Sequence, residues 1–232
     1  MIIIHDKRLP EEVAGRLNKY GECMPFYSEN ITYEAIAGHP DIFFFPADKF
    51  VIVAPNTPQH YIDFLQNKGI SLKFGNTLIG TKKDNSTCYN VVISDNYIIH
   101  NKKYTDTSII ENVCNKIFVN VNQAYTRCSI LPLKNDCFIT SDRGIEKELS
   151  KQNINCLYIS PKEILLQGFP NGFIGGCMGV YQNKVFLIGN PDFHSDGEKL
   201  KSFLYHNDYE LISLYDGKFV DGGSLFFIEE AI

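Results

Sequence analysis

The chain has 232 residues, 44% of them hydrophobic and 21% charged, which is ordinary globular composition. Its formal net charge of −5 argues against general nucleic-acid binding, which needs Lys and Arg to displace phosphate counterions. No apolar run is long enough to span a bilayer, and residues 1–4 lead directly into charged residues rather than a signal sequence. We therefore expect one cytoplasmic domain over residues 1–232, with no nucleic-acid or membrane partner.

The cysteines are the second compositional feature. There are seven, an odd number, and none forms a CxxC pair. This spacing is not that of a disulfide framework or a zinc knuckle, so we predict reduced thiols that mostly pack as small apolar side chains. No metal and no cofactor are predicted.

A repeat dominates the order of predicted elements. Apolar strands recur at residues 2–5, 50–53, 97–100, 137–140 and 184–188, a spacing of roughly 40 to 50 residues that is typical of propellers and solenoids. A helix follows each strand, at about 10–20, 57–69, 106–116, 142–152 and from 195 onward, where Ser195 and Glu198 have capping-box spacing. Another strand follows each helix, at 23–26, 71–74, 117–121, 156–159 and 209–214.

Each unit begins with a further strand, the leading strand, which forms a hairpin with the apolar strand of that unit. Four are predicted in order, at 41–45, 89–94, 128–133 and 173–181, while residues 224–228 supply the one missing before residue 2. The predicted units are therefore 222–232 plus 1–26, 39–76, 87–123, 127–161 and 172–217. Pairing of the terminal segments would close the ring and remove exposed sheet edges.

Two short runs of residues resemble those of a known protein family. Pro-Asp-Ile-Phe-Phe at 40–44 and Gly-Gly-Ser at 222–224 resemble strands of the penteins, the amidinotransferase, arginine deiminase and dimethylargininase group. The chain is also similar to an uncharacterised bacterial family, through Gly-His-Pro-Asp at 38–41 and Tyr-Thr-x-Cys-Ser at 125–129. The resemblance implies an α/β fold, a five-bladed α/β propeller of five pseudo-symmetric ββαβ-type units.

The resemblance also implies a site that this chain only partly retains. In pentein enzymes a Cys follows the last Gly-Gly, a His lies on the fourth leading strand, and carboxylates hold the guanidinium. Here no histidine lies between Cys156 and Phe193, and no cysteine follows Cys177. Only Asp41 carries over by position, and the next acid, Asp48, is displaced by about one position. The guanidine-modifying mechanism therefore does not transfer intact.

Polar residues nevertheless cluster at the starts of the leading strands. If five-fold symmetry brings them together, acids, a cation, thiols and hydroxyls surround one cavity that suits a small polar ligand. The predicted ligand-binding residues are Asp41, Asn90, Arg127, Ser129, Asp221 and Ser224. The catalytic candidates are Cys128, Cys177 and His39.

Each candidate also has a structural interpretation. Asp41 after Pro40 can begin a strand through a local hydrogen bond, and His39 before proline is typical of a turn. Cys88 and Cys177 fit as apolar fillers. In a strand Arg127 points away from Cys128 and would not lower its pKa. The His-Ser-Asp run at 194–196 is interpreted as a helix cap.

Three functions remain open. The first is binding of a small polar molecule, such as a guanidino or amidino cation held by Asp41. The second is a relocated cysteine hydrolase or amidino transferase acting on an amidine or amide, with Cys128 or Cys177 as nucleophile and His39 as base. The third is a noncatalytic interaction domain like the ribosome-binding pentein, which is favoured if Phe226 and Phe227 plug the channel.

Overall fold

Short strands and helices alternate along the computed structural model, which describes residues 1–229. The helices are α1 Glu11–Leu17, α2 Pro40–Phe43, α3 Gln59–Asn67, α4 Lys83–Ser86, α5 Thr107–Asn112, α6 Thr126–Ser129, α7 Arg143–Lys151 and α8 Gly197–His206. The strands are β1 Ile2–Asp6, β2 Glu22–Phe26, β3 Phe44–Pro46, β4 Val51–Val53, β5 Leu72–Phe74, β6 Val92–Ile93, β7 Tyr97–His100, β8 Ile117–Asn120, β9 Ile130–Leu133, β10 Cys137–Thr140, β11 Cys156–Tyr158, β12 Ile164–Leu165, β13 Met178–Tyr181, β14 Lys184–Leu187, β15 Glu210–Ser213, β16 Phe219–Val220 and β17 Phe226–Ile228.

Five three-stranded sheets share one design, with orders β17-β1-β2, β3-β4-β5, β6-β7-β8, β9-β10-β11 and β13-β14-β15. In each sheet the middle strand is antiparallel to the first strand and parallel to the third. A parallel neighbour requires a crossover, and a helix supplies it in every case. The middle strands are the apolar strands expected from the repeat. Within residues 1–229 every sheet is open, including the small parallel pair β12-β16.

The two ends of the described chain meet in one sheet. Strand β1 pairs antiparallel with β17, so that Ile2 lies opposite Ile228 and Ile4 opposite Phe226. The predicted first unit extended to residue 232, and its residues 230–232 lie outside the described part of the chain.

Each helix buries one apolar stripe against its sheet. Tyr61, Ile62 and Leu65 are the buried residues of α3, and Leu200 and Leu204 are buried on α8. These spacings of three and four residues place side chains on a single helix face. Throughout residues 1–229, every helix is too short or too polar to cross a lipid bilayer.

The leading segments differ from the prediction in one respect that decides the site. Strands were expected from residues 41, 128 and 173, but single helical turns occupy Pro40–Phe43, Thr126–Ser129 and Gly175–Cys177, and strands begin only after them. Pro40 sits in the first turn of α2, where its fixed φ suits a helix and its missing N–H costs nothing. Asp41, Cys128 and Cys177 therefore project from helical turns, while His39, Asn90, Asp221 and Ser224 lie in the connecting segments outside the strands.

The capping box predicted at Ser195 is wrong. Asp196 stands at the start of α8, and no side chain caps that end. The Ser195 backbone N–H instead donates to Glu163 Oε2 at 2.7 Å, and Glu198 pairs with Lys201. Helix α8 begins at Gly197 after a 3-10 turn at Pro191–Phe193, and a Cβ on Gly197 would stand 1.9 Å from the Pro191 carbonyl oxygen.

Candidate functional site

Two helical turns bring an acid and a thiol together. Asp41 lies on α2 and Cys128 on α6, and both are buried. The Cys128 thiol donates to Asp41 Oδ2 at 3.1 Å, and the Ser224 hydroxyl donates to the same oxygen at 2.7 Å. Ser224 adopts a φ of 74°, a left-handed conformation that costs a non-glycine residue free energy and is common at functional sites.

Asn90 joins these two residues. Its Nδ2 donates to the Asp41 backbone carbonyl at 3.1 Å and to Cys128 Sγ at 3.2 Å. Its Oδ1 accepts from the Cys128 backbone N–H at 3.2 Å. Because one fully buried side chain bonds both residues, the separation between the carboxylate and the thiol is defined by the fold.

His39 and Asp221 complete the group, which we call the central cluster: His39, Asp41, Asn90, Cys128, Asp221 and Ser224. His39 Nδ1 lies 3.9 Å from Asp221 Oδ1. Asp221 accepts hydrogen bonds from the backbone N–H groups of Phe173 at 2.8 Å and Gly223 at 3.1 Å. Ligand atoms of His39, Asp41 and Cys128 all lie within 4.8 Å of one another.

Two glycines permit this close approach. A Cβ on Gly176 would stand 1.9 Å from Asp221 Oδ1, and one on Gly223 would stand 2.2 Å from the His39 Cβ. Gly223 also has a φ of 67°, which favours glycine. Gly176 thus allows the backbone to pass directly beside the Asp221 carboxylate, and Gly223 of the Gly-Gly-Ser run allows the same beside the His39 side chain.

Burial and like charges determine the protonation of the cluster. Burial raises the pKa of Asp221 to about 6, while His39 lowers it and Asp41 raises it further. Burial also raises the pKa of the Cys128 thiol well above its usual value, and the charges of Asp41 and Asp221 add to the effect. Cys128 is therefore a neutral thiol in the free protein.

Two buried polar atoms of the cluster lack partners. Within residues 1–229, His39 Nδ1 and Asp41 Oδ1 are buried and make no hydrogen bond. A buried polar group left unbonded costs about 1–3 kcal/mol of stability, and native proteins contain few of them. Unused hydrogen-bonding capacity beside a thiol is what a site awaiting a polar ligand would retain.

Other sequence candidates make their contacts elsewhere. The Ser129 hydroxyl donates to the Tyr125 carbonyl at 2.7 Å, within its own helical turn. Cys177 donates to the Phe173 carbonyl at 3.2 Å, and Cys88 donates to the Asp84 carbonyl at 3.1 Å. Arg127 directly precedes Cys128 in the sequence and is buried. Its guanidinium donates to backbone carbonyls and not to a carboxylate. Of the catalytic candidates, the structure brings His39 and Cys128 together.

A tyrosine pair was missed by sequence reasoning. Tyr33 and Tyr125 join their hydroxyls at 2.9 Å, and Ser86 Oγ lies 2.8 Å from the Tyr125 hydroxyl. Burial raises the pKa of Tyr33, with added effects from Tyr125, Cys128 and Asp221, so this phenol lies close to the cluster. Tyr125 belongs to the Tyr-Thr-x-Cys-Ser run, whereas Tyr33 stands between predicted elements and carried no sequence signal.

Two cavities flank the cluster. One has a volume of about 430 Å³, and its lining includes Asp221 and Gly222 together with Phe169, Lys162 and Lys218. The other has a volume of about 160 Å³ and is lined by Arg127, Phe226 and Phe227 among others. The two phenylalanines thus line the Arg127 side, and Asp221 connects the cluster to the larger cavity.

Comparisons with known proteins identify the fold. A model described as "Family of unknown function (DUF6873)" matches residues 4–226. No curated protein matches the chain. Among solved structures, a mutant of DDAH from Pseudomonas aeruginosa complexed with citrulline superposes with a TM-score of 0.54 and 8% identity, covering 91% of each chain. Agmatine deiminase from C. jejuni superposes with a TM-score of 0.53 and 9% identity, covering 89% of this chain and 74% of that one.

These comparisons confirm the fold class predicted from the sequence, an α/β fold of pentein type. Both neighbours are penteins, so the chain has an α/β fold similar to that of pentein enzymes. At 8–9% identity the likeness concerns the fold alone. Activity must therefore be argued from the central cluster itself.

Proposed function

Because the chain belongs to the Family of unknown function (DUF6873), we propose a function from its site: it binds a small guanidino or amidino cation in the central cluster and uses Cys128 to break a C–N bond. One observation carries the proposal. The Cys128 thiol donates to Asp41 at 3.1 Å, inside a buried group with His39 whose ligand atoms lie within 4.8 Å. This is the set of groups that nucleophilic thiol chemistry requires.

A cation fits the cluster electrostatically. Asp41 and Asp221 are both buried, and the charge of Asp41 raises the pKa of Asp221. A guanidinium between them would relieve that repulsion and give the unpartnered Asp41 Oδ1 a donor. Planar N–H groups match carboxylates in paired hydrogen bonds. The ligand would enter through the 430 Å³ cavity, which Asp221 borders.

The bound cation would also activate the thiol. A positive charge beside Cys128 lowers its pKa and opposes the effects of burial and the two carboxylates. The thiol proton passes to His39, Sγ bonds to the amidine carbon, and the C–N bond breaks as the amine leaves with that proton. Water then attacks the same carbon and the C–S bond breaks, which releases a ureido product from a guanidine or an amide from an amidine and restores the thiol.

The finer architecture belongs to the same proposal. We place the five sheets as the blades of a five-bladed propeller in one domain, with the β1–β17 pairing as its closure and the cluster near its axis. The common strand order of the five sheets supports this arrangement. All seven cysteines are free, which supports a reducing compartment such as the cytoplasm.

Reactivity of the thiols tests the function. The folded protein is treated with 2-chloroacetamidine, a cation, or with neutral chloroacetamide, and labelling of each cysteine is followed by mass spectrometry. We expect Cys128 to react at least about tenfold faster with 2-chloroacetamidine than with chloroacetamide, which corresponds to a difference of about 1.4 kcal/mol in activation free energy. The exposed Cys114 serves as the internal reference and should show no such preference.

Matched variants separate the possible origins of labelling. Asp41→Asn should remove the preference for the cation, whereas Cys177→Ser should keep it. Labelling runs with and without a chelator, because an imidazole, a thiolate and a carboxylate are also zinc ligands. If Cys128 stays inert to both reagents until the protein unfolds, with chelator present, cysteine catalysis is excluded.

A further inference from the structure

Arg127 is a buried cation with no neighbouring anion in the described part of the chain. The residue is 7% exposed. No carboxylate among residues 1–229 lies within ion-pair distance of its guanidinium. Burial lowers its pKa, while the more distant charges of Asp41, Cys128 and Asp221 raise it. A buried charge is stable only when it is paired or fully hydrogen-bonded, so its contacts indicate what is missing.

The hydrogen bonds of Arg127 leave one edge of the guanidinium unused. Nη1 donates to the carbonyls of Ile130 at 3.1 Å and Gly175 at 3.0 Å, which uses both of its hydrogens. Nη2 makes one long contact, 3.5 Å to the Met178 carbonyl. Nε has no partner in the described part of the chain. A guanidinium has five donors in a rigid fork, and here the Nε hydrogen and one Nη2 hydrogen have no partner within residues 1–229.

A cavity lies beside this guanidinium. Its volume is about 160 Å³, and Arg127 is its only polar lining residue within residues 1–229. Apolar residues form the remainder of the wall: Pro46, Val91, Ile93, Leu131, Pro132, Val180, Leu225, Phe226 and Phe227. The guanidinium carbon stands 5.5 Å from the centre of the Phe226 ring, so one face of the cation is covered by an aromatic side chain.

We propose that this cavity binds a small carboxylate, held by Nε and Nη2 of Arg127. A planar carboxylate accepts two parallel hydrogen bonds from one guanidinium edge, which a spherical anion cannot do. The apolar wall suits the methyl or methylene group of acetate or propionate. This site lies on the Arg127 side of the central cluster, whereas the cation proposed above enters from the Asp221 side, so the two ligands use different cavities.

Thermal unfolding of the full chain tests the site at constant pH and ionic strength. Sodium acetate replaces sodium chloride, and acetamide provides a probe of the same shape without charge. At tenfold excess over its Kd, acetate should raise the unfolding midpoint by about 3–5 °C, and acetamide should leave it unchanged. Equal shifts with acetate and acetamide, or no shift with acetate up to 0.1 M, would overturn the proposal.

Variants confirm the location. Arg127→Lys retains the charge but not the fork and should weaken acetate binding at least about tenfold. Val180→Phe keeps Arg127, fills the cavity and should abolish the acetate effect even if the Arg127 variant fails to fold. The control is Arg143→Lys, which alters an exposed arginine paired with Glu146 and should leave the acetate effect intact. An acetate effect that persists in Val180→Phe would refute the assignment.

Discussion

Replacing Asp41 by asparagine removes one charge from the central cluster and keeps the side-chain shape. The amide oxygen can still accept from Ser224 and Cys128, which now bond Oδ2 at 2.7 and 3.1 Å. A hydrogen bond to a charged group contributes about 1.5–3 kcal/mol, and the Coulomb attraction at 4 Å sets a ceiling of about 4 kcal/mol at an effective dielectric constant of 20. We therefore expect a guanidinium ligand to bind about 30- to 100-fold more weakly.

Titration calorimetry with methylguanidinium measures this loss. The control is Asp48→Asn, which changes the charge identically at an exposed position and should alter Kd by less than about twofold. Removal of one of two mutually repelling buried carboxylates should also leave the Asp41→Asn protein at least as stable as the parent. Weak binding in a stable variant cannot be attributed to unfolding.

Two results would refute the reasoning. Equal affinities of the Asp41 and Asp48 variants would remove Asp41 from the ligand site. A large fall in the unfolding midpoint of the Asp41 variant would show that the carboxylate is needed for the fold, in which case the cluster is structural. If neither the parent nor either variant binds methylguanidinium, the proposed function fails, while the acetate site at Arg127 remains separately testable.

Three further predictions concern stability. In urea denaturation, Asp106→Ala should lower the free energy of unfolding by about 3 kcal/mol and Asp142→Ala by about 1 kcal/mol. Both residues cap helices, but Asp106 also accepts hydrogen bonds from the backbone N–H groups of residues 76 and 77. Equal losses in the two variants would contradict this. Burial lowers the pKa of His100 to about 4, so the unfolded chain binds the proton first and stability should fall between about pH 6.5 and 4, a slope that His100→Gln should reduce. The raised pKa of Asp221, about 6, means that its contribution to stability is present below pH 4 and lost above pH 6, so Asp221→Asn should remove this fall in the free energy of unfolding between pH 4 and pH 6.

Local sequence was sufficient for the repeated elements. Strands β7 and β10 begin and end where the repeated apolar runs predicted them, and Asp106 and Asp142 cap the helices expected to begin there. These features depend on hydrophobic periodicity and on side chain to backbone hydrogen bonds within a few residues. Both are properties of neighbouring residues and can be read without the fold.

The turns at the site were beyond that kind of reasoning. Four residues, as in α2 and α6, are too few for a helical period, and the apolar strands that follow them suggested earlier strand starts. The repeat did indicate most of the residues that meet, since the predicted candidates include all six members of the central cluster. The predicted Arg127, Ser129 and Cys177 bond backbone carbonyls instead. The meeting of the six cluster residues depends on the positions of the units, which the repeat encodes.

The direction of each side chain was decided only by the tertiary structure. In a strand, successive side chains point to opposite faces, whereas in a helical turn they differ by about 100°. On α6 this rotation directs Cys128 to Asp41, Arg127 to the carbonyls of Ile130 and Gly175, and Ser129 back to its own turn. The sequence therefore determined which groups lie near the centre of the fold, and the packed backbone determined which of them share a site.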